Sequence, residues 1–141
     1  MTKALLVEPD LSARDIDVDP TNMAPLFGDA NARVSVAFDG DGTGIAAVYG
    51  TDARQQGGQP NPVASMAKNR AATGNAAFFT DPTNAICGPV VFIGADGHDL
   101  SDSEAGEVAD GIRAVANYID DQPEEYRLWH EAVMNLDAPG H

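Results

Sequence analysis

The order of its patterns places this chain in the α+β class, as a small, mostly antiparallel sheet of about four strands covered on one face by C-terminal helices. Three observations lead there. Short runs rich in apolar and β-branched residues fill the first two-thirds of the chain. Two apolar stripes at helical spacing fill the last third. An aspartate- and glycine-rich stretch, Asp39-Gly40-Asp41-Gly42-Thr43-Gly44, joins two of the strand candidates as a hairpin would.

Taken in order, Lys3 to Val7 is a short apolar strand closed by Glu8-Pro9. Asp10 to Asp19 alternates weakly through Ile16 and Val18, which fits either an edge strand or a loop. Asp19-Pro20 has the form of a helix start, and Thr21 to Phe27 would be a brief helix ending at Gly28, although Pro25 opposes it. Arg33 to Phe38 alternates as a half-buried strand should, and Ile45 to Tyr49 is its hairpin partner. Gln55 to Pro60 is a loop, after which Asn61-Pro62 can open a helix carrying Val63, Met66, Ala67 and Arg70. Asn75 to Phe79 would form a short turn that Asp81-Pro82 breaks.

Ile86 to Ile93 is apolar throughout and reads as a central strand, with Pro89 implying a bulge or an unpaired side. Asp96-Gly97 turns the chain, and Ser101-Asp-Ser-Glu104 is a capping box. Val108, Ile112, Val115 and Ile119 then form one helical stripe. Asp120 to Pro123 breaks that helix and caps the next, whose stripe is Tyr126, Trp129, Val133 and Leu136.

The 141 residues suit a single domain, with no internal repeat and no second unit. No apolar run is long enough to span a bilayer, and the opening apolar run stops too soon for a signal peptide. The expectation is a cytoplasmic protein. Eight basic residues against 22 acidic ones leave a net charge of −14. Direct binding to a nucleic-acid backbone or to an anionic membrane is disfavoured, since both need basic surface. A partner with a basic surface suits the charge, as do simple solubility and salt adaptation. Cys87 is the only cysteine and sits in an apolar run, as a buried, inert thiol would.

Few residues announce chemistry. The Asp39–Gly44 stretch matches the first half of a calcium loop, but the last ligand position is Gly50, which has no side-chain oxygen. It is also a poor phosphate loop, because Ile45 to Tyr49 looks like a strand where a helix start is needed. A tight turn fits best. His98, His130 and His141 have no recognisable partners for a metal or a nucleophile. Glu124 and Glu125 fall in a helix's first turn, where acids suit the dipole. No catalytic residue, metal or cofactor is expected on these grounds.

Several motifs occur in a suggestive order: Ala4-Leu-Leu-Val-Glu-Pro9, Lys68-Asn69-Arg70-Ala71, Ile86-Cys-Gly-Pro-Val-Val-Phe-Ile-Gly94 and Leu100-Ser-Asp-Ser-Glu104. With these the chain resembles the domain of unknown function 3846 family, small proteins met in phages, plasmids and other mobile elements. The resemblance covers roughly residues 3–110 and leaves 121–137 as a C-terminal helical elaboration. It implies a cytoplasmic accessory protein and supplies no activity. It draws attention to Asn69 and Arg70, because a guanidinium beside an amide can clamp a carboxylate or phosphate. Glu8 is the candidate partner of Arg70 that the motif suggests.

Three functional expectations result. The first is a non-enzymatic interaction module, in its sharpest form a DNA mimic by its acidity, whose last helix offers Tyr126 and Trp129 to a partner with a basic surface or to a second copy. The second is a binder of a small anionic ligand through Asn69, Arg70 and Glu8. The third is a hydrolase using His98 and nearby aspartates.

Overall fold

The computed structural model of the protein describes residues 2–19, 32–36, 45–50, 59–73, 85–94 and 98–135, with side chains except in 32–36 and 68–73. The elements are β1 (Thr2–Val7), β2 (Ala13–Val18), β3 (Ala32–Val36), β4 (Ile45–Gly50), α1 (Pro62–Thr73), β5 (Val90–Gly94), α2 (Asp102–Asp121) and α3 (Pro123–Asn135). The expected helix at 21–27, the turn at 75–79 and the Asp39–Gly44 stretch lie outside the described residues.

The five strands form one sheet in the order β2-β1-β5-β4-β3. Every neighbouring pair is antiparallel. This is the α+β, antiparallel architecture that the patterns predict. The segment around Ile16, open between strand and loop in the sequence, is the edge strand β2 and raises the strand number to five. On either side of Asp39–Gly44 the chain is strand, with Val36 opposite Ala46. The element that follows is the strand β4, not the helix that a phosphate loop needs.

The central position belongs to β5, last of the strands in sequence. Its five residues are all buried, which explains why the run lacks alternation. The strand is shorter than the apolar run. Gly88 has a φ of 79°, and Pro89 has no N–H to give a ladder. The chain therefore enters the sheet only at Val90, and Cys87 makes an isolated bridge to Pro60 instead.

Alternate side chains of the sheet feed two cores. On one face, Val7, Ile45, Ala47, Val90 and Phe92 meet Val63, Ala64, Met66 and Ala67 of α1 and Val108 and Val115 of α2. Burial of Phe92, fully inaccessible, contributes on the order of 2–3 kcal/mol. Helix α1, from the middle of the chain, thus shares this face with the C-terminal α2. On the other face, Ala4, Val18, Val48, Val91 and Ile93 form a second buried cluster with Leu6, Ile16 and Ala46 against it. Burial on both faces goes beyond the one-face covering that the patterns suggest.

Helix α2 starts as its capping box dictates. The Ser101 N–H donates to Glu104 Oε1 at 2.9 Å, and the Glu104 N–H donates to Ser101 Oγ at 3.1 Å. Its stripe buries Val108, Gly111 and Val115. Only Gln122 separates α2 from α3. Its N–H donates to the Tyr118 carbonyl and its own carbonyl accepts from the Tyr126 N–H, so one residue closes one helix and opens the next. Pro123 fits the first position of α3 because no N–H is needed there.

Candidate functional site

Among the described residues, two surfaces gather polar chemistry. The first is the β1–β2 hairpin and depends on how the end of β1 is held. Asn61, fully buried, caps α1 by accepting from the Ala64 N–H at 3.1 Å. Its amide nitrogen donates to the carbonyls of Val7 and Gly88, both at 3.1 Å. Ser65, one turn on, donates to the Asn61 carbonyl at 2.8 Å and accepts from the Ile86 N–H at 3.0 Å. This buried polar node locks β1, α1 and the approach to β5 together, and every group of the Asn61 amide has a partner.

Beyond Val7 the chain turns through Glu8-Pro9-Asp10-Leu11. The Leu11 N–H donates to the Glu8 carbonyl at 3.0 Å and the Glu8 N–H to the Ser12 carbonyl at 2.9 Å. The Ser12 N–H donates to Asp10 Oδ1 at 2.9 Å, and hydrogen bonds from Ser12 hold the Asp10 carboxyl below its ordinary range. Leu11 takes a φ of 75°, a left-handed conformation costly for a leucine. The turn leaves a half-open hollow of about 280 Å³ lined by Leu6, Glu8, Ser12, Ala13 and Arg14.

The second surface is the α2–α3 pair. Nine acids and two arginines lie between residues 101 and 135. Both arginines are held by acids: Arg113 by Asp110 at 3.0 Å, and Arg127 by Glu124 at 2.7 Å and Glu131 at 3.0 Å. All these groups are exposed, so the pairs add little stability. Their effect is to cancel the only arginine charges of the two helices. The Tyr118 hydroxyl donates to Glu125 across the junction. That bond, then burial, raises the Tyr118 pKa above its ordinary value. Arg127 lowers the pKa of Glu124.

The residues singled out in the sequence are distributed unevenly. Glu8 lines the hairpin hollow. The backbone of Asn69 and Arg70 lies in the second half of α1, with Asn69 about 12 Å along the helix axis from Asn61, and their side chains are outside the described residues. Among the described side chains, the arginine that shares a hollow with Glu8 is Arg14, whose Cα pairs with that of Leu6 across the hairpin. Only strand register brings Arg14 there, and the weak alternation of residues 10–19 did not reveal it.

Tyr126 and Trp129 part company. Trp129 is 6% exposed and packs with Cys87, Val133 and Ala85, so it anchors α3 to the body. Tyr126 is half-buried, 6.2 Å from the Trp129 ring and 5.9 Å from the His130 ring between centroids. Burial raises its pKa. It lines an open, mainly apolar groove of about 290 Å³ with Ile119, Pro123, Arg127, His130 and Glu131. Trp129 thus fixes the helix from beneath, while Tyr126 keeps one edge at the surface and Leu128 and Met134 of the same helix are exposed.

His98 is exposed, its carbonyl accepts from the Gly94 N–H at 3.0 Å, and it lines neither hollow. Among the described residues no cluster of three metal-ligating side chains occurs, and no helix is long and apolar enough to cross a membrane. No family model, no curated protein and no solved structure matches the chain.

Proposed function

We propose that this protein is a non-enzymatic interaction module, an accessory factor of the phage or mobile-element kind, whose acidic α2–α3 surface meets a partner with a basic surface. The observation that carries the reading is the junction of the two helices. Asp120 and Asp121 end α2 and Glu124 and Glu125 begin α3, four exposed carboxylates within six residues. The last turn of α2 has no basic residue. Acids there oppose the helix dipole, which favours cations at a C-terminus. Among the described residues no cation pairs with Asp120 or Asp121, and a cost against local stability left without such an offset is a mark of selection for an external cation.

The reading includes mimicry of nucleic acid in its sharpest form, since a row of carboxylates can stand in for phosphates on a DNA-binding protein. The test is retention of partners from host lysate by the tagged protein at low and high salt. The comparison is a variant carrying Asp120→Asn, Asp121→Asn, Glu124→Gln and Glu131→Gln. A stoichiometric partner held at low salt, released at high salt and lost from the variant is the expected result. Competition by duplex DNA then tests mimicry. Equal retention by the variant would sink the proposal.

A further inference from the structure

Independently of the acidic helices, we propose that the hollow under the β1–β2 hairpin is a binding site for a small zwitterion of α-amino-acid type. The ligand's carboxylate would meet Arg14 and its ammonium Glu8, with Leu6 beneath its side chain.

Leu6, Glu8, Ser12 and Arg14 occupy alternate positions along the two arms of the hairpin, and all four line one hollow of about 280 Å³. That volume is close to the lower end of small-molecule sites. Glu8 and Arg14 flank the same space, yet they form no ion pair within 4.0 Å, whereas Arg113 and Arg127 do pair with acids. Two opposite charges that face one hollow without meeting leave room for a molecule bearing both complements.

The rest of the site is already committed. The Ser12 N–H is taken by Asp10 and the Ser12 carbonyl by the Glu8 N–H. Those bonds, with that from Leu11 to Glu8, hold the loop in one shape before any ligand arrives, which lowers the ordering cost of binding.

The overall charge selects among ligand classes. At −14 the protein repels a simple anion, and one exposed arginine is weak compensation. A cation would leave Arg14 unused and facing it. A zwitterion satisfies both groups and carries no net charge into the field.

The test is a backbone-amide NMR titration of the full chain with L-leucine, isocaproate and isoamylamine. The second lacks the amine and the third lacks the carboxylate. Saturable shifts confined to Leu6, Glu8 and residues 12–14 are expected with leucine, and binding of either half-ligand about tenfold weaker or more. Arg14→Gln and Glu8→Gln should each weaken leucine by a similar factor, with the remaining spectrum unchanged as the check on folding. Three results would overturn the site: no saturable shift at millimolar leucine, a half-ligand that binds as well as leucine, or leucine binding that survives both substitutions.

Discussion

The amide nitrogen of Asn61 donates to the backbone carbonyl of Val7 at 3.1 Å, across 54 residues of sequence. The same nitrogen serves Gly88, and the amide oxygen caps α1. One side chain thus joins the inner strand β1, a helix and the entry to the central strand. Asn61→Ala leaves two buried carbonyls and one amide without partners, a loss of about 2–4 kcal/mol. Asn61→Asp keeps the cap acceptor but sets a buried carboxylate against two carbonyl oxygens, so it should be at least as damaging. Urea unfolding of the two variants checks both.

Leu11 should show an inverted order of truncations. Alanine there keeps the left-handed strain and loses the packing on the core, whereas glycine relieves the strain. Leu11→Gly is expected to be more stable than Leu11→Ala by about 1 kcal/mol. Denaturant midpoints of the pair would read it, and the usual order, alanine above glycine, would contradict it.

Gly94 ends β5 where the chain returns to lie against it. A Cβ there would sit 2.7 Å from the His98 carbonyl oxygen and 2.8 Å from that of Asp99. Both are backbone atoms, and the returning segment is tied to β1 by the Leu100 N–H to Lys3 carbonyl bond at 2.9 Å. Gly94→Ala should therefore cost about 1–3 kcal/mol, whereas Gly106→Ala, with nothing within 4 Å, should not destabilise and gains helix propensity. Melting temperatures of the two variants test the contrast.

Tyr118 and Tyr126 bind their phenolic protons more tightly in the folded protein than in the unfolded chain. Their contribution to stability is complete below the ordinary tyrosine pKa near 10 and is lost as pH rises through the raised folded values. Stability should fall in the alkaline range, and Tyr126→Phe should flatten that fall. Denaturation at a series of alkaline pH values measures it. Glu124 works in the opposite direction: its lowered pKa gives a small contribution present above the ordinary glutamate value and lost as pH falls through the folded one.

Neutralising the end of α2 should separate stability from function. Asp120→Asn with Asp121→Asn removes acids from a helix C-terminus and should stabilise by about 0.5 kcal/mol at low salt. The same variant should hold a basic partner less well. A thermal melt and a pull-down on one preparation give both answers, and a destabilised variant would count against the dipole argument.

Much of this fold was legible because its signals are local. The Ser101–Glu104 box, the Asn61-Pro62 start and the Val108–Ile119 stripe depend on residues within one or two turns of each other, and each forms as its spacing requires. The apolar run before Ile93 marks a central strand because burial on both faces leaves no place for polar alternation. Two neighbours misled at its start, where Gly88 and Pro89 bend the chain before pairing begins.

What the amino-acid sequence determined by itself is the α+β class, the starts of α1, α2 and α3, the break between α2 and α3, and a net charge of −14. Strand order, the edge position of β2, the placing of Glu8 and Arg14 around one hollow and the turning inward of Trp129 were decided only by tertiary structure. The physical reason is range: caps and periodicity are set by neighbours in sequence, whereas register and burial are set by which surfaces many residues apart can exclude water together.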